Sequence, residues 1–472
     1  MHRTTSLCLA LLLPGVAQAA GYFSTGVGVR CMGRGAACVV GVSDLSAQYY
    51  NPAALVQVPS MLDLQGAGVF QTVHFDREDE LQADGGTEVF DAVENEAPIM
   101  PIPALGVSSH FGNPDLAVAL GVYTPYAPLL SFPADGPQRF SLVESTVLSG
   151  NVGPSAAYRV LPWLTVGAGV AWTFLQVDQS LVAHMEPRGF AATDDPDFDI
   201  ATTVAARDPF AFTWNLGLLL GSATSEFQGG LAFVPPVHFA ARGSLGVDFS
   251  QNTYYFGGTE MGQLIAQARA TDGDVLLDVH MPLLLRGGGL WRPTDRSEVE
   301  LDLEWQRWSG LGQLTLSDVD LLIDIKDSDE DVTVDDDIVL PTTLRDAVSV
   351  RLGAESALRP RLIGRAGLFF ETSAVDGSYR SVMMPDGPKL GYGLGGSVAV
   401  LPDRLALDLG ISQAFVFPHT LDRSLVFQVA IDPLTGEVYG GKQVGNGRFS
   451  ATTRLFALGL TWTPAGGLPG EG

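Results

Sequence analysis

The 472-residue sequence predicts an all-β protein, a fourteen-stranded antiparallel transmembrane β-barrel. Three observations lead to this fold class: an N-terminal export signal, strands that alternate apolar and polar residues, and short turns at wide intervals. The composition agrees, because 46% of the residues are hydrophobic, only 17% are charged and glycine occurs 55 times. Such a chain is too apolar for a disordered acidic protein, and its glycine content favours β-structure with tight turns.

The N-terminus, residues 1–19, has the pattern of a secretory signal peptide. Arg3 is followed by an apolar stretch from Leu7 to Leu13 and then by Ala17-Gln18-Ala19, a typical cleavage site. The rest of the chain contains no run of about eighteen apolar residues, so a transmembrane helix is not expected. Any membrane-spanning part of this exported chain must therefore consist of strands.

Four segments alternate apolar residues with polar or small ones. In residues 299–306 every odd position is apolar, from Val299 to Trp305, and every even position is polar. Residues 164–172, 405–412 and 455–462 follow the same rule, with mostly glycine, alanine or polar residues on one face. A soluble sheet with one wet face also alternates, but small and polar residues facing inward are typical of an outer-membrane barrel.

Short turns divide the strands into hairpins. They are Gly112–Asp115, Leu161–Pro162, Gly221–Ser225, Arg292–Asp295, Arg359–Pro360 and Leu401–Asp403. Each interval between these turns has room for two strands of about ten residues and one long loop, which gives fourteen strands over residues 60–462. The short turns are expected on the periplasmic side, with Trp163, Trp291 and Trp462 at one membrane interface. Residues 463–472 form a polar C-terminal tail.

Acidic residues outnumber basic ones by 53 to 27, a net charge of −26, which excludes nucleic acid as a partner. Much of this charge falls in the expected long loops, above all between Asp318 and Asp337. Solvated loops are one interpretation and calcium binding is the other, although Asp327-x-Asp329-x-Asp331 lacks the following glycine of an EF-hand. The sequence also lacks HExxH and GxSxG motifs, so we assign no metal, no cofactor and no enzymatic activity.

The segment Gly21–Pro59 is rich in glycine, alanine and small polar residues and contains Tyr50-Asn51-Pro52-Ala53-Ala54-Leu55. It resembles the N-terminal hatch of the FadL/TodX family, outer-membrane transporters for long-chain fatty acids and aromatic hydrocarbons. Other segments resemble that family's third, sixth and ninth strands and a late loop, namely Leu120–Tyr126, Thr213–Gly217, Leu303–Ser309 and Pro385-Asp386. The resemblance implies that residues 20–59, with the motif Asn51, Pro52 and Ala53, plug the barrel as a hatch with short helices.

The resemblance also implies a function and a location. The function would be passive uptake of hydrophobic small molecules, fatty acids or hydrocarbons, across the outer membrane of a Gram-negative bacterium. The protein would be a monomer in contact with membrane lipid and lipopolysaccharide. The alternative is a structural or adhesive barrel that acts through its acidic external loops.

Two groups of residues are expected along the uptake route. A loop with one apolar helical face would capture the ligand, unless that face only packs against a neighbouring loop. Its residues are Tyr254, Tyr255, Phe256, Met261, Leu264 and Ile265. Pro125 and Pro128 lack the N–H that strand pairing needs, so with Tyr126 they are expected to border the lateral opening of the family's kinked third strand. Pro235-Pro236 is either a second break or a strand end.

Two further pairs of residues have alternative interpretations. Arg351 and Arg365 lie on the expected inner faces of strands ten and eleven, where they would meet a ligand carboxylate. Alternatively, they pair with acidic residues of the wall, namely Glu300, Asp302, Glu304 or Glu355. Cys31 and Cys38 either form a disulfide in the oxidising compartment or are two free thiols.

Overall fold

The computed structural model describes residues 26–81, 85–185, 194–248, 269–270, 273–310, 314–318, 321–324, 332–334, 338–340, 343–431 and 438–464. Within these residues, fourteen long strands form the closed antiparallel barrel that the sequence predicts. The strands are β1 (Met61–Arg77), β2 (Met100–Ser109), β3 (Leu116–Tyr126), β4 (Glu144–Leu161), β5 (Leu164–Met185), β6 (Asp199–Leu220), β7 (Phe227–Val234 and Val237–Asp248), β8 (Gly273–Met281 and Leu283–Thr294), β9 (Ser297–Arg307), β10 (Ala347–Arg359), β11 (Leu362–Glu371), β12 (Lys389–Leu401), β13 (Leu405–Leu421) and β14 (Gly447–Trp462).

Each strand pairs with its neighbours in the chain, and β1 closes the barrel against β14. This last ladder runs from Leu62 opposite Trp462 to Arg77 opposite Gly447. The six short turns of the sequence analysis lie between β2 and β3, β4 and β5, β6 and β7, β8 and β9, β10 and β11, and β12 and β13. The predicted strand count and hairpin pattern are therefore confirmed.

The barrel is apolar outside and polar inside. On β9, Leu301 and Leu303 are 51% and 54% exposed, whereas Glu300 and Asp302 are 0% and 1% exposed. This alternation is confirmed in the segments from which it was predicted, and it is the arrangement that a lipid-facing wall requires. Within the part of the chain that the structure describes, no helix is long and apolar enough to cross a membrane.

The lumen contains residues 26–59, the described part of the segment expected to form the hatch, which is called the hatch below. It has two short helices, α1 (Val29–Gly33) and α2 (Ala47–Tyr50), and a 3₁₀ turn, Pro52–Gln57. Leu55 and other apolar hatch residues pack against Ala117, Ala119 and Ala157 on the inner faces of β3 and β4. Small wall residues thus leave the space that the hatch fills.

The long connections carry short elements that the sequence analysis did not anticipate. The strands are Glu80–Leu81, Thr87–Glu88, Val93–Glu94, Leu129–Ser131, Arg269–Ala270, Leu314–Ser317, Leu321–Asp324, Val332–Val334, Ile338–Leu340, Phe427–Ile431 and Val438–Gln443. The 3₁₀ turns are Pro196–Phe198, Trp308–Gly310 and Gly377–Tyr379. Several of these strands extend the barrel ladders, so the loop side of the barrel is itself structured.

Candidate functional site: the hatch and the surrounding wall

The hatch motif is a buried turn that the side chain of Asn51 holds together. Its Oδ1 accepts a hydrogen bond from the N–H of Ala53 (3.1 Å), which caps the 3₁₀ turn that begins at Pro52. Its Nδ2 donates to the carbonyls of Val39 (2.8 Å) and Leu218 (3.0 Å), one in the hatch and one in β6. Asn51 therefore joins two parts of the hatch to the wall.

Two wall glycines make room for this turn. A Cβ atom on Gly217 of β6 would lie 2.0 Å from Asn51 Oδ1, and one on Gly167 of β5 would lie 2.2 Å from the nitrogen of Ala53. Gly393 on β12 serves helix α1 in the same way, since a Cβ there would lie 2.0 Å from the carbonyl oxygen of Met32. The glycines that the alternation placed inside the barrel are the positions where the hatch approaches most closely.

A second set of contacts fastens the hatch to β9. The inner face of β9 presents four carboxylates, here called the carboxylate row: Glu298, Glu300, Asp302 and Glu304. Glu300 accepts hydrogen bonds from the N–H groups of Val40 (2.6 Å) and Gly41 (2.9 Å), and Asp302 accepts one from Cys38 (2.7 Å). These carboxylates bind hatch backbone, a role that the sequence analysis missed because the partners lie far apart in the chain.

Three arginines that the sequence analysis did not single out complete this attachment. Arg34 of the hatch pairs with Glu300 (2.7 Å), and Arg30 pairs with Asp408 of β13 (3.1 Å). Arg286 of β8 pairs with Glu304 and donates to the carbonyl of Tyr49 (2.7 Å). Each arginine in these pairs has a carboxylate partner that compensates its charge.

Arg351 and Arg365, the candidates for a ligand carboxylate, are already paired with the wall. Arg351 lies 3.2 Å from Glu371 and 3.7 Å from Glu304, and Arg365 pairs with Glu355 at 2.5 Å. The structure therefore contains the ion pairs that were the alternative interpretation. Both arginines are buried, at 5% exposure each.

The hatch cysteines lie together. Cys31 and Cys38 are bonded as a disulfide, with their Cα atoms 5.8 Å apart, and both side chains are buried. The bond joins helix α1 to the segment that binds the carboxylate row.

A cavity lies on the other side of the hatch, between helix α2 and the wall from β3 to β8. Including its open mouth, it holds about 690 Å³ of empty space. Its lining includes Gln48, Tyr49, Tyr123, Pro125, Tyr126, Asn151, Thr173, Thr213, Trp214, Asn215, Pro235, Phe239 and Pro282. No charged side chain is among the described residues that line it, so the cavity suits an uncharged, largely apolar molecule.

The ladders on both sides of β3 are incomplete near Pro125. β2 and β3 pair only from Ser109 opposite Val118 to Leu105 opposite Val122, and residues 100–104 and 123–126, all described, form no ladder with each other. The β3–β4 ladder also shifts register between Tyr123 and Tyr126. Pro125, Tyr126 and Pro128 are buried, and the first two line the cavity.

Above the barrel, three loops meet at a cluster of opposite charges. Arg77 and Lys442 pair with Asp194 at 3.0 and 2.5 Å, and Lys442 also lies 2.6 Å from Glu80. Burial raises the pKa of Asp194, but these cations lower it more, so it lies below its usual value. Glu80, Glu88 and Asp194 have the spacing of metal ligands, but the Lys442 ammonium already occupies their centre.

Two predicted sites fall mostly or wholly outside the residues that the structure describes. The capture residues Tyr254, Tyr255, Phe256, Met261, Leu264 and Ile265 lie outside the described residues, as do most of the acidic residues between Asp318 and Asp337.

Comparisons with known proteins agree with this architecture. A family model described as "Outer membrane protein transport protein (OMPP1/FadL/TodX)" matches residues 10–450. A FadL homologue of Pseudomonas aeruginosa has a similar structure, with a TM-score of 0.74 and 17% identity over 94% of this chain and 99% of that one.

Two toluene transporters also have similar structures. TodX of Pseudomonas putida has a TM-score of 0.65 and 14% identity, over 94% of this chain and 99% of TodX. TbuX of Ralstonia pickettii has a TM-score of 0.62 and 15% identity, over 93% of this chain and 98% of TbuX. These identities establish likeness of fold alone, and a comparison with curated protein sequences gave no match. On the family model, which spans most of its length, the chain belongs to the OMPP1/FadL/TodX family of outer-membrane transport proteins.

Proposed function

We propose that this protein takes up hydrophobic compounds passively across the outer membrane, by surface capture, rearrangement of the hatch and lateral exit through the wall. One observation carries the proposal: a cavity without charged lining lies between the hatch and the interrupted third strand. Of the two ligand classes considered, long-chain fatty acids and hydrocarbons, the uncharged lining favours hydrocarbons.

The arginines support the same choice of ligand. Arg351 and Arg365 each have a carboxylate partner within the wall, so a fatty acid would have to displace a buried ion pair to reach either one. A neutral hydrocarbon needs no such exchange. That the similar structures include the toluene transporters TodX and TbuX fits a ligand of this class.

A lateral exit also follows from the chemistry of the lipid phase. Backbone N–H and C=O groups without a partner are costly in hydrocarbon, so an interrupted ladder is tolerated only where it lines a cavity. The gap between β2 and β3 opens beside Tyr123 and Pro125, which line the cavity. A ligand that reaches this gap passes into the bilayer without crossing the hatch to the periplasm.

The proposal is tested by the initial rate of uptake of radiolabelled naphthalene in cells whose only hydrocarbon channel is this chain. The wild-type chain should raise the rate severalfold over cells without it. Pro125→Val with Pro128→Val should lower the rate while surface binding persists, whereas Pro154→Val, an exposed proline in the intact β3–β4 ladder, should not.

A wild-type rate equal to that of cells without the chain would reject uptake and leave the adhesive alternative. A normal rate in the double proline variant would reject the exit at β3.

A further inference from the structure

The ladder between β6 and β7 separates and then re-forms. Leu216 pairs with Phe233 on one side of the separation and Arg207 with Arg242 on the other, while residues 208–215 and 234–241, all described, form no pairs with each other. The number of residues between the two ends is the same on both strands, so the register is unchanged across the separation. The gap therefore lies between two stretches of ladder in the same register, and Pro235-Pro236 is a break between the two segments of β7.

The gap arises because side chains at corresponding positions of β6 and β7 point to opposite faces of the sheet. Residues opposite each other in a ladder must point to the same face of the sheet. They do so outside the gap, where Leu218 and Leu231 are both exposed. Within it, Phe212 is 77% exposed, whereas Val237, opposite in the same register, is 8% exposed.

Two breaks at different heights produce this mismatch. β6 switches faces at a bulge between Asp208 and Ala211, where its register with β5 shifts. β7 switches at Pro235-Pro236, which lies closer to the short turn, and β8 switches opposite it at Pro282. Because β7 and β8 switch together, their ladder resumes at once. Because β6 switches elsewhere, β6 and β7 cannot pair between the two breaks.

The cavity reaches the wall at this gap. Its lining includes Gln48 of the hatch inside the barrel, and also Trp214 and Val170, residues that are 43% and 57% exposed on the lipid-facing surface. Thr213 and Phe239, on the two edges of the gap, lie between them. One cavity therefore borders residues beside the hatch and residues of the outer face on β5 and β6.

The edges of the gap satisfy a backbone N–H group that has lost its ladder partner, and they present an uncharged polar group to the cavity. At its upper end the N–H of Ala240 donates to Asp208 Oδ2 (2.9 Å), so a side chain replaces a missing ladder partner. Thr213 Oγ1 is buried at the cavity surface and makes no hydrogen bond with any described residue. An apolar molecule with one weakly polar or aromatic acceptor fits this lining.

The hatch contacts both gaps. Each gap begins after five ladder pairs counted from the short turn, between β2 and β3 and between β6 and β7. Gln48 lies between them, because Asn215 of β6 donates to its carbonyl (2.6 Å) and a Cβ on Gly121 of β3 would lie 2.2 Å from its Oε1. One segment of the hatch therefore borders both.

We propose that the gap between β6 and β7 is a second lateral opening, through which an uncharged hydrophobic compound leaves the cavity for the bilayer. This inference rests on the proposed uptake function and adds an exit that does not involve β3.

The test uses naphthalene uptake as above, with a block on the inner edge of the gap. Thr213→Trp should lower the initial rate at least threefold, and combination with Pro125→Val and Pro128→Val should bring it to that of cells without the chain. Leu231→Trp, on the lipid face of β7 in the intact ladder, should leave the rate unchanged. For each variant, the change in gel mobility on heating shows whether the barrel is folded.

A second variant introduces the block after folding. Thr213→Cys provides a thiol in a chain whose described cysteines are already bonded to each other, and N-phenylmaleimide, itself neutral and hydrophobic, should reach it through the cavity. Uptake should then fall in the labelled protein and not in labelled Leu231→Cys.

The outcomes separate the two proposals. If Thr213→Trp or labelled Thr213→Cys takes up naphthalene at the wild-type rate, or if the maleimide does not react in the folded protein, the second opening is rejected while uptake stands. If the wild-type chain gives no uptake, the proposed function fails, and the second opening with it.

Discussion

The two sides of the hatch are attached to the barrel by different chemistry. Towards β8, β9 and β13 the contacts are ionic: Glu300 binds Arg34 and two backbone N–H groups, and Asp408 binds Arg30. Towards β4, β5 and β6 they are neutral hydrogen bonds, such as that of Asn215 to Gln48, and close approaches at glycine.

This difference indicates which side yields first. Breaking a buried ion pair costs about 3–5 kcal/mol, whereas a neutral hydrogen bond contributes about 0.5–1.5 kcal/mol. Both wall gaps adjoin the neutral side, and the cavity extends from this side as far as β8. We infer that a hatch movement opens this side while the ionic side stays in place.

The largest expected effect comes from breaking the ionic side. Glu300→Ala should lower the free energy of opening of hatch residues 38–41 by about 3–5 kcal/mol, because Arg34 and two N–H groups lose a buried partner. Hydrogen exchange followed by mass spectrometry measures this opening. The exposed Glu226→Ala is the control, and a change below about 1 kcal/mol in Glu300→Ala would contradict the comparison.

A smaller effect is expected on the neutral side. Gly217→Ala places a methyl group against Asn51 Oδ1, so the motif turn must shift, and overpacking of this kind costs about 1–3 kcal/mol. Hydrogen exchange of residues 51–54 should increase while residues 38–41 keep their protection. Gly289→Ala, whose Cβ would meet nothing within 4 Å, is the matched control. Equal loosening of both segments would mean that the two sides are not independent.

The smallest effect should come from acidification, which acts outside the hatch. The pKa of Asp194 is lowered in the fold, so its contribution to loop packing is present above its unfolded pKa and is lost as the pH falls through the folded one. Spin labels at the exposed positions Thr87 and Gly440 should therefore give a narrow distance distribution at pH 7 and a broad one well below the usual aspartate pKa of about 3.9.

Labels at the short-turn residues Arg296 and Asp403 should keep the same distance distribution at both pH values. Unchanged loop distances in acid would show that Asp194 does not hold the loops together.

The sequence predicts the barrel well because period-two alternation is a local property. The order Glu300, Leu301, Asp302, Leu303 indicates which residues face inward without knowledge of any partner. What these carboxylates bind was not predictable, since the N–H groups of Val40 and Gly41 lie in a distant segment of the chain. The Asn51 motif was identified by resemblance. The role of Gly167 and Gly217 could be recognised only from the fold, which places them against this motif.

The wall gaps were predictable only in part. Pro125 and Pro235 signal breaks in β3 and β7, because a proline cannot donate to a ladder. Whether a break opens the wall depends on the neighbouring strand: β8 switches faces beside Pro235 and stays paired, whereas β6 switches at another height and separates. Whether the breaks of two neighbouring strands lie at the same height depends on their register, so the sequence of one strand cannot predict it.

The staggered breaks in β6 and β7 set the length of the gap between these strands. The two strands cannot pair between their breaks, so the unpaired stretch is as long as the distance between the breaks along the strands. Each residue by which one break moved relative to the other would change that length by about 3.3 Å. The height of such an opening in a barrel wall is then set by the spacing of the breaks in the sequence and is independent of the diameter of the barrel.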